Sequence, residues 1–441
     1  MASFMKLFLL RRVLLRCRVL AVVVGLVSGV RGGAGDLILT GGVVHTVSVG
    51  VIDPGYVVVR AGEIVEVGAG LPEGRADHST EDLDGLHLYP GLIDAATVLG
   101  LDDIQGVRAS VDSREVGAYT PEVEGWVSVN PDSDLIPVAR ANGLTHVNIV
   151  PDGGVVAGQS ALIQLDGWSV EDLVVRRRTG LNVYWPDYRL NLSPDSKTSL
   201  QEQDTLRRQG LMELGEFFEQ AGSYAGQRSK TEQAVGVVPS WEAMLPYVRG
   251  ELPIFVHADE ERQIRAVLEW AKRGGIRVVI FGGREAWRLA GELALAEVPV
   301  VYQAVRQLPA GSVDGYDIQF RAPALLGEAG VKVAISLRSS MEETMARNLP
   351  YEAALARAHG LSELEALRSV TLYPAQILGV GDRLGSIAVG KEASMVAADG
   401  DLLDTRTQVR RVWIGGKSTS VESRHTHLYE RYRARPRAVN R

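Results

Sequence analysis

Histidine and carboxylate must carry any metal or acid–base chemistry in this chain, because its 441 residues include one cysteine, Cys17, and eight histidines. One thiol can neither close an internal disulfide nor supply a cysteine cluster for zinc or iron–sulfur. His257 ends the apolar run FVH, where an imidazole can act as ligand, general base or hydrogen-bonding pocket residue, or be a buried satisfied side chain. Asp259 follows two residues later, within reach of the same loop. Asp94 stands near the end of YPGLIDA, and a carboxylate there is suited to accept backbone N–H groups. His45, His78, His87, His146 and His359 are scattered, and the H-x-H pair His425 and His427 lies in a terminal tail, a poor place to preorganise a metal.

Two further motifs are weaker. GQS at 158–160 is not the G-x-S-x-G of a serine nucleophile. The surrounding IVPDGGVVAGQSALIQLDG (149–167) lacks the Gly-Lys-Ser/Thr ending of a nucleotide-binding loop, so its glycines either cradle an anion or serve turning alone, with Gln159 placed to face a pocket. Trp126, Trp168, Tyr184 and Trp185 are candidates for an apolar cleft wall, or for packing between helices and loops.

The elements around these residues fall into three parts. Residues 36–66 and 383–416 are short β-rich runs broken by Gly-Gly, Pro-Gly and Ala-Gly pairs. Between them, apolar strands such as LTHVNIV (144–150), LPIFVHA (252–258), IRVVIFGG (276–283) and VKVAIS (331–336) alternate with helical stretches such as DEERQIRAVLEWAKRG (259–274). Such alternation implies a parallel sheet covered by helices, and without a G-x-G-x-x-G after the first strand a (β/α)8 barrel is preferred to a dinucleotide fold. Segments 106–143 and 186–205 read as polar loops that shape a pocket or run passively over the surface.

Residues 1–33 carry six bases, no acid and the apolar run VLAVVVGLV at 19–27, the order of a signal peptide and too short for a membrane anchor. Cleavage near Gly33 removes Cys17 and leaves 41 bases against 54 acids, turning a net charge of −7 into −13. An acidic, exported protein, periplasmic or extracellular, is expected, and nucleic acid is not expected as a partner. The division is therefore a leader (1–33), a β-rich unit split between 34–88 and 381–420, a barrel over 89–380, and a basic tail (421–441) that is solvated, docked intramolecularly, or set against an acidic surface.

YPGLIDAATVLG (89–100) resembles the first barrel strand of the amidohydrolase superfamily, which ends in PGLID-A-H-x-H-x-G. FVHADEERQIRAVLEWAKRGGIRVVIFGGREAW (255–287) is similar to the later histidine strands of imidazolonepropionase-like and prolidase-like members, and TLYPAQILGVGDRLGSIAVGKEASMVAADGD (371–401) to their closing segment. The resemblance implies an α/β fold, a TIM-like barrel with a composite β-sandwich side domain. It also implies hydrolysis of C–N bonds in amide or peptide-like substrates, with zinc or another divalent metal.

The metal residues depart from that pattern. Ala96 and Val98 stand where the resemblance places two histidines, Gly282 and Gly283 where it places a later one, and Arg338 near where it places the catalytic aspartate. His257 survives as the one candidate catalytic group, with Asp94, Gln159, Asp259 and Arg338 as pocket residues. Arg338 pairs with an acid such as Asp259 or Glu260, fixes a carboxylate or phosphate, or faces the surface. No protein-held metal is expected. Two functions follow: a hydrolase using His257 and recruited groups, or an inactive barrel serving binding or assembly, paired with itself or an intact homologue. Local chemistry favours the second, with a small amide or peptide-like ligand.

Overall fold

The computed structural model describes residues 37–72, 79–230, 236–337 and 342–435, so the leader, Cys17, His78 and Arg338 lie outside the described residues. Strands β1 (Leu37–His45), β2 (Val51–Arg60), β3 (Glu63–Ala69), β4 (Ser79–Asp82) and β5 (His87–Pro90) come first, and no helix interrupts them. β1 and β2 pair antiparallel with breaks in register near Gly42, as glycine-punctuated hairpins require.

The middle of the chain builds a nearly closed eight-stranded barrel. Its strands are β6 (Leu92–Thr97), β7 (Leu144–Ile149), β8 (Val156–Gln164), β9 (Val174–Tyr184), β10 (Ile254–Ala258), β11 (Val278–Gly282), β12 (Val300–Tyr302) and β13 (Val333–Ile335). They are hydrogen-bonded in chain order from β6 to β13, and the two end strands share no ladder. β8 runs antiparallel to both β7 and β9, while the other neighbouring pairs are parallel. β8 and β9 are also where the sequence reading was incomplete. The first is buried along nearly its whole length and shows no polar alternation, and the second carries the triplet Arg176–Arg178 just after Val174 and Val175. The glycine-bearing stretch 149–167 therefore contains a strand, and a further strand follows it.

Inward-facing Ile93, Leu162, Phe255, Val279, Phe281, Val301 and Ala334 fill the barrel and meet Ala375 and Leu378 from the helix Leu372–Ile377 and the residue after it. Their outward neighbours, including Leu92, Val147, Val256, Ile280 and Val333, belong to the larger core beneath the covering helices. Gly180 leaves room for the Phe255 ring, which lies 2.5 Å from where a Cβ would stand. A helix over Leu200–Lys230 continues the 186–199 loop and packs against Pro239–Val248.

After the barrel come β14 (Met395–Ala398), β15 (Val409–Ile414) and β16 (Lys417–Thr419). β14 pairs antiparallel with β5, from Met395 opposite Pro90 to Ala398 opposite His87, so both flanks join one eight-stranded sheet separate from the barrel. Leu39, Val57, Ile64, Leu88, Met395 and Trp413 form its own apolar core. The tail forms a helix over Arg424–Arg433 and is tied down by Arg424 to Asp134 (2.8 Å).

Candidate functional site

His257 stands at the end of β10, half-buried, where parallel barrel strands deliver side chains to the mouth. Its Nε2 lies 3.1 Å from Asn182 Oδ1. The orientation of that amide is fixed by what its nitrogen does: Asn182 Nδ2 donates to Gly158 O at 3.1 Å and to Ser160 Oγ at 2.8 Å. With both hydrogens placed, the oxygen faces the imidazole, so His257 Nε2 is the protonated, donating nitrogen. Tyr184 stacks on the ring at 4.0 Å and 11°, and Phe281 lies tilted at 5.3 Å. A second polar link continues inward, with Thr179 Oγ1 donating to Asn148 Oδ1 (2.6 Å) and Asn148 Nδ2 to Ala95 O (2.9 Å).

The positions that the resemblance assigns to metal are closed. Ala96 is buried at 1% exposure and Val98 packs on the main core. Gly282 has φ +96°, and a Cβ there would sit 2.5 Å from Asp259 Oδ1. Gly283 has φ +69°, and its Cβ would meet Val300 at 2.9 Å. Both positions hold a left-handed backbone that strains any residue with a Cβ, histidine included. Among the described residues, no three histidine, cysteine, aspartate or glutamate side chains come together in a way that could hold a metal ion. A donor set of one histidine already committed to an amide does not fit zinc.

The remaining candidates separate. Asp94 is buried on β6, and its Oδ1 accepts from Ala96 N at 3.1 Å and lies 2.5 Å from Ser336 Oγ. Burial pushes its carboxyl up to about 7. Gln159 points into packing: Nε2 donates to Pro121 O (2.9 Å) and Oε1 accepts from Tyr247 (3.0 Å). The glycines of 149–167 serve close approach, since a Cβ on Gly154 or Gly158 would meet the backbone of Gly117 or Val123 at 2.7–2.8 Å. Of the aromatic candidates, Tyr184 joins His257, Trp185 packs on Trp270 and Trp168 is exposed.

Asp259 borders a cleft of about 580 Å³ over the ends of β9–β11, together with Asp187, Arg189, Glu260, Arg284 and Glu285. Arg189 reaches Glu260 at 3.6 Å and Glu285 at 3.9 Å, and burial raises the Glu260 carboxyl. Arg284 is anchored on Leu308 O and Pro309 O, while its backbone N–H donates to Asp259 Oδ1 at 3.3 Å. Sequence reasoning did not find Asn182 and weighed Ser160 only as a nucleophile within GQS, because the strands that carry them were not separated from the loops around them.

The amidohydrolase family profile matches residues 316–419. The amidohydrolase tasK of Hapsidospora irregularis is 23% identical over 404 residues, 82% of this chain and 39% of that protein, so the chain spans about two fifths of its relative's length. A 61-residue stretch, 14% of this chain and 15% of the other protein, is 41% identical to an N-acetylgalactosamine-6-phosphate deacetylase of Escherichia coli. Among solved structures, an amidohydrolase from Thermotoga maritima MSB8 superposes with a TM-score of 0.74 at 25% identity, covering 87% of this chain and 99% of the other. The barrel, the flanking sheet and these matches together support a likeness to the amidohydrolase superfamily and its TIM-barrel fold.

Proposed function

We propose that this chain is a non-hydrolytic member of the superfamily, a binding or assembly barrel that seats a small amide or peptide-like ligand in its mouth cleft. The observation that carries the reading is the Asn182–His257 hydrogen bond. It holds the imidazole as an Nε2–H donor to an amide, which opposes use of that nitrogen as a metal ligand or proton acceptor. The left-handed backbone at Gly282 and Gly283 and the alkyl groups of Ala96 and Val98 support it from separate strands. The prolidase-like branch belongs to the same reading, as does export by the 1–33 leader into the periplasm or outside the cell.

The cleft suits such a ligand because two guanidinium groups and four carboxylates offer both signs of charge to a zwitterion. The test is calorimetry with a panel of dipeptides and cyclic amides, run beside turnover assays with and without added Zn²⁺ or Mn²⁺. Binding without turnover, weakened at least tenfold by Arg284→Ala, is the expected result. Turnover that His257→Ala abolishes would contradict the reading.

A further inference from the structure

The barrel seam between β6 and β13 has no strand ladder, and the Ser336 hydroxyl bridges it. Ser336 Oγ, one residue past β13, lies 2.5 Å from Asp94 Oδ1 and 2.9 Å from Ala96 O, both on β6. Both contacts face acceptors if Asp94 is a carboxylate, and a serine hydroxyl has one hydrogen. An ionised Asp94 takes that hydrogen and leaves the serine oxygen opposed to Ala96 O. A neutral Asp94 removes the conflict: its own O–H donates to Ser336 Oγ, and the serine hydrogen goes on to Ala96 O.

Two more features favour the neutral acid. Asp94 Oδ2 is buried with no hydrogen-bond partner among the described residues, a placement that costs a carbonyl oxygen much less than half of a carboxylate. No cation is paired with Asp94 there. The nearest described charge from the packed helix Leu349–Ala358 is Glu352, another acid, which has Arg306 Nε 2.6 Å from its Oε1. On the strands beside the seam, His146 lies toward Glu392.

We propose that Asp94 is carried as a neutral carboxylic acid and that its proton fastens the barrel seam, relayed through Ser336 to Ala96, so that ionisation loosens the seam. The sign follows from proton binding. An acid held protonated when folded binds more protons there than when unfolded, so its stabilisation is complete below the ordinary aspartate value and is lost as pH rises through the folded value, about 7.

Asp94→Asn tests this because it removes the titrating proton: one amide atom at the place of Oδ1 can accept from Ala96 N or donate to Ser336 Oγ but not both, so the pH dependence and not the absolute stability is the readout. The readout is the urea-unfolding equilibrium constant of D94N against wild type from about pH 4 to about pH 8. Taking the ratio cancels every group the two proteins share. The proposal expects D94N to gain on wild type by about tenfold per pH unit through the window. A ratio independent of pH, or a D94N that loses ground as pH rises, would overturn it. Should D94N fail to fold, the infrared carbonyl band of wild type decides. A protonated-acid band that persists at about pH 6 and fades by about pH 8 supports the relay, and its absence at the lower pH contradicts it.

Discussion

An amide with both hydrogens placed dictates the protonation of its neighbour, and Asn182 does this to His257. The imidazole that most resembles a catalytic group is thereby a structural donor under a stacked tyrosine. Asn182→Leu leaves the Ser160 hydroxyl and His257 Nε2 short of partners in a buried network. It is expected to cost roughly 1–3 kcal/mol in urea unfolding. A variant as stable as wild type would show that the network does not hold the mouth. His257 was legible in sequence because FVH ends an apolar strand, and Asp94 because it precedes the missing histidines. Asn182 was not, since a single asparagine in LNVY carries no periodic signal and acquires its role only from β8 beside it.

At the scale of elements, complementarity across strands organises the barrel interior. Gly180 on β9 omits the side chain that Phe255 on β10 supplies, and Phe255 in turn stacks on Phe281 of β11 at 4.5 Å. Phe255→Ala therefore opens a cavity in the barrel axis and is expected to cost about 3–5 kcal/mol. Gly180→Ala, which forces a methyl into the ring, is expected to lower the same urea midpoint, and a neutral result for both would place the stabilising contacts elsewhere. The parallel strands and their helices were readable from alternation. The reversed β8 was not, because burial of eight of its nine residues erases the period-two pattern that marks a strand.

Across the whole molecule, the barrel and the sheet that flanks it are joined by the chain itself and by buried polar contacts. His146 on β7 is fully buried, and its Nε2 points at Glu392 Oε1, 3.8 Å away in the segment before β14. Burial lowers the imidazole to about 4 against the attraction of Glu392. The folded state thus binds fewer protons than the unfolded one, and the stability this contributes, complete above the ordinary histidine value, is lost as pH falls toward about 4. His146→Asn is expected to shift the onset of acid unfolding, followed by near-ultraviolet circular dichroism, to lower pH; an unchanged onset would assign acid sensitivity to other groups. The split flank could be read from two stretches of the same β-rich texture at opposite ends of the chain, and β5 pairing with β14 is its physical counterpart. Among the described residues, no helix is long and apolar enough to cross a membrane.

The central claim is that the mouth lacks the donors for a metal, and a zinc titration of the purified protein tests it most directly. Elemental analysis after dialysis against Zn²⁺ is predicted to find no stoichiometric metal, with wild type and His257→Ala indistinguishable. One equivalent of zinc held by wild type and lost in His257→Ala would contradict the account.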